Sequence, residues 1–350
     1  MPYISPKTRR QILVCLLLGV LAATMLLAGC QSKPAPVTAP QGSVDPDPEQ
    51  PPAGKTEPPE PLSPITGLPM GNPGHPVAVS TDNLSPARPQ SGLSQADIVY
   101  EVLAEGPVTR YLAIYLSESP EVVGPVRSVR PYLALLAKEW NAVLAHCGAS
   151  PDGYKAIEDL KVLDANDMTQ GGLFWRDNSR KMPHNLYGSI ETLRKVGTSP
   201  APETAQRYEF QDWSDDPLPE LEIRYGRTYA VRYVYSDGKY RRVVHDGSLN
   251  PFVQADRDTG EECAVSNVIV QFAKSRVLDA ELRIAIDLIG EGKAVYLLGG
   301  RYLEGTWKKE SAEEPTWFYT ADGEKITLTP GQTWVQIVPM DAKVTGPATE

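Results

Sequence analysis

Asp97-Ile-Val-Tyr-Glu-Val-Leu-Ala-Glu105 and Arg110-Tyr-Leu-Ala-Ile-Tyr-Leu-Ser117, parted by Gly106-Pro-Val-Thr109, are the stretch on which the fold class turns. Both runs are rich in Ile, Val, Leu and Tyr, which suit a pleated, packed surface, and the glycine–proline break between them is a turn signal. The pattern predicts a β-hairpin closed by a four-residue loop. Asp97, Glu101 and Glu105 share strand parity and are expected along one face, as a solvated or salt-bridged row. The alternative is that these acids, with Asp82, serve as a base or hold a cation.

Outward from the hairpin, residues 76–80 read as a short strand. Downstream, Leu133, Leu136 and Trp140 fall at helical spacing behind Pro131, a residue suited to the first turn, so a helix is expected over 131–140. Residues 142–147 read as a buried strand, Gly148-Ala-Ser150 as a turn into a helix near 151–160, and 189–196 as a further helix. Strand, helix, strand, turn and helix in that order imply an α/β core over 63–200. The rhythm changes after the acidic, proline-containing stretch 201–219, read as a linker. Over 220–340, short apolar runs alternate with turn pairs such as Asp237-Gly238 and Asp322-Gly323. Strands are expected at 229–236, 240–245, 267–273, 282–289, 294–298, 316–319 and 333–339. The fold class is thus mixed α+β: an N-terminal α/β domain, a mainly antiparallel β domain and a tail at 341–350.

The N-terminus carries an address. Lys7, Arg9 and Arg10 precede an apolar run from 12 to 28 that closes on Leu27-Ala-Gly-Cys30. This is the order of a bacterial lipoprotein signal, with residues 1–29 removed and Cys30 acylated. An uncleaved anchor helix is the alternative, although such a helix has no reason to end on this motif. Residues 30–62 hold ten prolines and few large apolar side chains. A segment of that composition cannot offset its ordering entropy and reads as a disordered or polyproline-type tether. The expected location is the outer face of the cell membrane.

The 350-residue chain carries −10, concentrated beyond residue 200, where 17 basic residues face 25 acidic ones. An acidic exported protein is a poor nucleic-acid binder. Of four cysteines, Cys15 leaves with the signal and Cys30 is acylated, so only Cys147 and Cys263 could pair; a buried thiol is the expected state of each, with a disulfide between them as the alternative. No metal-ligand spacing occurs, and no cofactor is implied.

Candidate ligand-binding residues come from arginines at element ends: Arg88, Arg110, Arg127, Arg130, Arg176 and Arg180, joined by His184 and Asn185. A guanidinium grips carboxylates and phosphates in a bidentate fork. Helix starts beside Arg130 and Ser150 would add free N–H groups if the fold gathers them. The competing reading pairs each arginine with a local carboxylate such as Glu101, Glu105 or Asp177. His184 is the candidate catalytic acid/base, because histidine titrates near neutrality. The competing reading is a histidine bonded to a backbone carbonyl. His146 and Cys147 are strand neighbours pointing to opposite faces, which argues against a catalytic pair.

Several of these segments carry a resemblance. Residues 87–101 (Ala-Arg-Pro-Gln-Ser-Gly-Leu-Ser-Gln-Ala-Asp-Ile-Val-Tyr-Glu), Gly124-Pro-Val-Arg-Ser-Val-Arg-Pro131, Pro183-His-Asn-Leu-Tyr187, Gly305-Thr-Trp-Lys308 and Gly331-Gln-Thr-Trp-Val-Gln336 resemble the YerB-like lipoproteins of Gram-positive bacteria. The resemblance implies a lipoprotein built of two family segments. It brings no reaction and no catalytic residues.

The sequence therefore leads to a lipid-anchored surface protein that binds an anionic component of the cell envelope, a glycopolymer or phosphorylated sugar. Two alternatives stand beside it: an envelope hydrolase or transferase using His184, and a non-catalytic scaffold for a wall-synthesis protein.

Overall fold

The structure, a computed structural model, describes residues 60–71, 74–197, 208–213, 220–248 and 250–346. The signal, Cys30, nearly all of the tether, most of the 201–219 linker and the last four residues lie outside them.

In the first half, β1 (Val77–Asp82), β2 (Ile98–Glu105) and β3 (Val108–Tyr115) precede α1 (Pro131–Glu139), β4 (Val143–His146), α2 (Pro151–Asp159) and β5 (Leu163–Asn166). A small hairpin, β6 (Phe174–Arg176) and β7 (Leu186–Gly188), leads to α3 (Ile190–Arg194). The second half begins with β8 (Glu209–Phe210), β9 (Glu220–Arg224), β10 (Ala230–Ser236), β11 (Lys239–His245), β12 (Phe252–Val253) and β13 (Ala264–Val265). There follow β14 (Asn267–Ala273), β15 (Ser275–Val277), β16 (Ile284–Ile286), β17 (Gly290–Leu298), β18 (Arg301–Lys309) and β19 (Trp317–Thr320). The chain closes with β20 (Thr327–Leu328), β21 (Thr333–Pro339) and β22 (Lys343–Thr345).

Ten strands form one mixed sheet in the order β19-β18-β17-β14-β21-β2-β3-β1-β4-β5. The molecule is accordingly mostly β, richer in strand than the mixed composition expected. β21 lies parallel to both β14 and β2, Thr333 aligning with Asn267 on one side and Ile98 on the other. Its Trp334-Val-Gln-Ile-Val338 run is buried throughout, as a central parallel strand requires. The two sequence halves therefore share a sheet and belong to one compact unit from residue 58 onward.

Side-chain alternation divides the core into two layers. Val79, Val99, Tyr111, Val268 and Trp334 pack against a second sheet, in which β12-β11-β10-β9-β22 run in order and β13 adds to β11. Ala78, Ile114, Leu144, Ile269 and Ile337 face α1 and α2. Pro131 opens α1, and Leu133, Leu136, Ala137 and Trp140 are all buried. Burying a side chain of that size contributes about 1.5–3 kcal/mol. Trp140 Nε1 donates to Tyr100 Oη at 2.9 Å, so its polar edge is satisfied too. Ser150 caps α2 by accepting from Gly153 N at 3.1 Å.

Three local expectations are corrected. The β2–β3 turn holds only Gly106 and Pro107, since Val108 and Thr109 already pair. A bulge between Leu103 and Glu105 breaks the parity of the acidic row. Glu101 faces the second sheet and meets Arg242, whereas Glu105 meets Arg110 and Arg130. Asp97 instead closes the end of β3, accepting from Leu116 N and Ser117 N. Both cysteines are free, and Cys263 is buried as expected, but Cys147 is only partly so.

Candidate functional site at the carboxyl edge of the parallel strands

β1, β4 and β5 run parallel and adjacent, with α2 crossing between β4 and β5. Ligands in α/β sheets gather beyond the carboxyl ends of such strands, where the loops diverge. Here those ends are Asp82, His146 with Cys147, and Asn166 with Asp167.

The loops with the distinctive motifs converge on this edge. Ser91 bridges Gly124, Val123 bridges Gly188, and Val126 N donates to Leu186 O. Arg180 ties the group together by donating to the carbonyls of Ala87 and Pro89 and to Tyr187 Oη. Gly124, at φ 142°, has Leu186 O 2.7 Å from where a Cβ would stand, so the two loops meet too closely for any larger residue.

At the centre, one carboxylate holds a guanidinium and an imidazole. Asp82 is 2% exposed, and its Oδ2 lies 2.7 Å from His184 Nδ1 and 3.1 Å from Arg127 Nε. Its other oxygen accepts from Leu84 N at 2.9 Å. The Arg127 contact has ion-pair distance without hydrogen-bond alignment. Asp82 is the one charge partner of Arg127 among the described residues, and the Arg127 side chain remains 24% exposed. His184 is 15% exposed and tethered through Nδ1, which leaves its Nε2 the nitrogen available to a ligand.

Beside this centre, Cys147 N donates to Arg127 O at 3.1 Å. The Cys147 thiol donates to Asp167, which also receives Arg176 at 3.1 Å. Arg176 in turn reaches Asn185 Oδ1 at 3.1 Å, the residue next to His184. Burial first, then Asp167, pushes the thiol above its ordinary range, so Cys147 is not an activated nucleophile. His146 turns away into the core to meet Asp164 at 2.5 Å, confirming that the two neighbours diverge.

The eight candidates do not form one cluster. Arg127, His184, Asn185 and Arg176 share the carboxyl edge. Arg88 donates to Asp246 and to Asn83, and stacks 5.0 Å from the Tyr229 ring, a structural role. Arg110 is buried against Glu105 and Ser128 O, and Arg130 pairs with the same Glu105. Burial lowers the pKa of both guanidinium groups. Arg180 is spent on backbone carbonyls. The residue that organises the site, Asp82, was legible only as one acid among several, because its partners lie 45 and 102 positions away. No group of metal-ligating side chains is found among the described residues, nor any helix long and apolar enough to cross a membrane.

Two family models match the chain. Residues 65–203 match the protein of unknown function (DUF3048) N-terminal domain, and 221–335 match the DUF3048 C-terminal domain. The chain is 34% identical over 287 residues to "Putative lipoprotein YerB" of Bacillus subtilis (strain 168), covering 79% of this chain and 86% of that one. It also superimposes on the crystal structure of the Bacillus subtilis YerB protein with a TM-score of 0.74 at 35% identity. That match covers 82% of this chain and all of the other.

Proposed function

Because the chain belongs to the DUF3048 family, one of whose members is named a lipoprotein, we propose that it is held at the outer membrane face by acylated Cys30 and binds an anionic envelope component at the carboxyl edge of β1, β4 and β5. The observation that carries this reading is the single buried carboxylate, Asp82, which aligns Arg127 and His184 side by side. With Asp82 holding both from one side, the exposed part of the Arg127 guanidinium and the untethered nitrogen of His184 are left to accept a phosphate or an acidic sugar: Arg127 supplies charged donors and His184 supplies Nε2. The tether would place this edge clear of the bilayer. A thermal-shift screen of the unit from residue 58 onward against phosphorylated sugars and simple polyanions tests the reading. A ligand that binds only the folded state raises the melting temperature. The rise is expected to vanish in Arg127→Ala; a rise that survives the substitution would move the site elsewhere.

The 2.7 Å Asp82–His184 contact also favours a second reading, a hydrolase or transferase. A carboxylate that fixes one imidazole nitrogen and leaves the other to exchange a proton is the arrangement of a general acid/base. In that case His184→Gln abolishes turnover of a bound phosphodiester while sparing its binding.

A further inference from the structure

A separate cleft of about 280 Å³ lies between the β15–β16 hairpin and the first turns of α1 and α2. Its size is at the small end for ligand sites. The hairpin is anchored rather than loose: the backbones of Arg283 and Glu105 form an isolated antiparallel β-bridge, and Gly106 N donates to Leu282 O. Three guanidinium groups, Arg130, Arg276 and Arg283, line the walls together with two carboxylates, Asp152 and Asp287. Leu278, Ile284 and Ile286 supply an aliphatic lining.

Each arginine is steadied by a carboxylate, and Arg276 and Arg283 keep donors free. Asp287 takes one Nη of Arg276, and Asp279 takes Nε of Arg283 while Glu281 lies 3.5 Å from its Nη2. Arg130 is held by Glu105 and the Val129 carbonyl, and its Nε is buried with no partner. The neutral hydrogen-bonding side chains are already used. Ser150 Oγ caps α2, and Tyr132 Oη donates to Leu103 O at 2.7 Å. A sugar would find few partners for its hydroxyls, and a phosphate dianion would face Asp152 and Asp287. Charges of both signs around an aliphatic surface suit a ligand with a carboxylate, an ammonium group and a small apolar side chain.

We propose that this cleft is a second binding site, for a short peptide with free termini. Its carboxylate would lie on Arg276 and Arg283, its ammonium on Asp152 and its side chain against Leu278.

The test is calorimetric titration of alanyl-alanine into the unit from residue 58 onward, alongside the N-acetylated and C-amidated dipeptides and inorganic phosphate. Saturable binding of the free dipeptide is expected, with Kd rising about tenfold or more in Arg276→Ala and in Arg283→Ala, as for loss of a charged hydrogen bond. Asp152→Asn should reduce the free dipeptide to the affinity of its N-acetylated form. Arg127→Ala should leave all of these values unchanged, which separates this site from the carboxyl-edge centre. Absence of saturable binding, equal affinity for the blocked dipeptides or equal affinity for phosphate would overturn the proposal. Far-UV circular dichroism verifies that each variant is folded, and the more exposed Arg276 gives the test a substitution remote from the core.

Discussion

Replacing Glu101 by alanine should destabilise the whole molecule, because Glu101 and Arg242 form an ion pair with neither side chain exposed. Their 2.5 Å contact joins β2 of the large sheet to β11 of the second sheet. Glu101 also accepts from Tyr229 at 2.7 Å, Thr109 at 2.8 Å and Asn83 at 3.2 Å, so the substitution orphans several buried donors together with a guanidinium. Removing one partner of a buried pair costs about 3–5 kcal/mol. The compact unit holds about 290 residues. At about 2.1 cal/mol/K per residue the unfolding entropy is about 0.6 kcal/mol/K, so a loss of about 4 kcal/mol lowers Tm by about 7 °C. Arg242 is also stacked 4.7 Å from the Trp334 ring, so Arg242→Met keeps much of its packing. The double variant Glu101→Leu with Arg242→Met should therefore recover a large part of the loss. Thermal and urea unfolding of the two single variants and the double variant measure these differences. A cost below about 1 kcal/mol for Glu101→Ala, or a double variant no better than the singles, would refute the reasoning.

Alkaline pH should weaken the fold through its buried tyrosines. Burial raises the Tyr132 hydroxyl to about 12, against about 10 in an unfolded chain. The folded state holds this proton more tightly, so the contribution is complete below pH 10 and is lost between 10 and 12, about 3 kcal/mol in all. Tyr132→Phe should flatten that part of the profile while costing about 1–3 kcal/mol at neutral pH through the unsatisfied Leu103 carbonyl; an unchanged slope of urea midpoint against pH would contradict the assignment. Gly305→Ala should cost about 1–3 kcal/mol, because its Cβ would collide with the Tyr319 carbonyl where β18 pairs with β19. A urea midpoint equal to that of the unsubstituted protein would show that the strands yield there. Asp82→Asn should weaken anion binding as much as Arg127→Ala does, since it removes the carboxylate that holds both Arg127 and His184 in place; titration showing tighter binding would mean that Asp82 competes with the ligand rather than organising its site.

Elements whose code is local were legible in the sequence. The runs 267–273 and 333–339 are strands with those bounds, and α1 begins at Pro131 as its proline and apolar spacing imply. β18 was missed because its Arg301–Lys309 run mixes charged and small residues and is largely half-exposed, so no apolar alternation announces it. The insertion of β21 between β14 and β2 was also out of reach, as local pattern identifies a buried strand but not its neighbours. The candidate site divides the same way. His184 and Arg127 stood out by residue type and position, but their meeting on Asp82 depends on three loops closing together. Arg242 went unnoticed because an arginine in a strand ordinarily faces water; only the fold places Glu101 opposite it. The bulge at Leu103–Glu105 undid the expected acidic row, since a single extra residue reverses every side chain after it.

The most direct test of the carboxyl-edge site is a calorimetric comparison of a phosphorylated sugar with the same sugar lacking its phosphate, on the unsubstituted protein and on Arg127→Ala. Binding that requires the phosphate and weakens about tenfold or more with the substitution is the predicted result. Equal affinity for the two sugars, or an affinity untouched by loss of Arg127, would contradict the assignment of Asp82, Arg127 and His184 as an anion site.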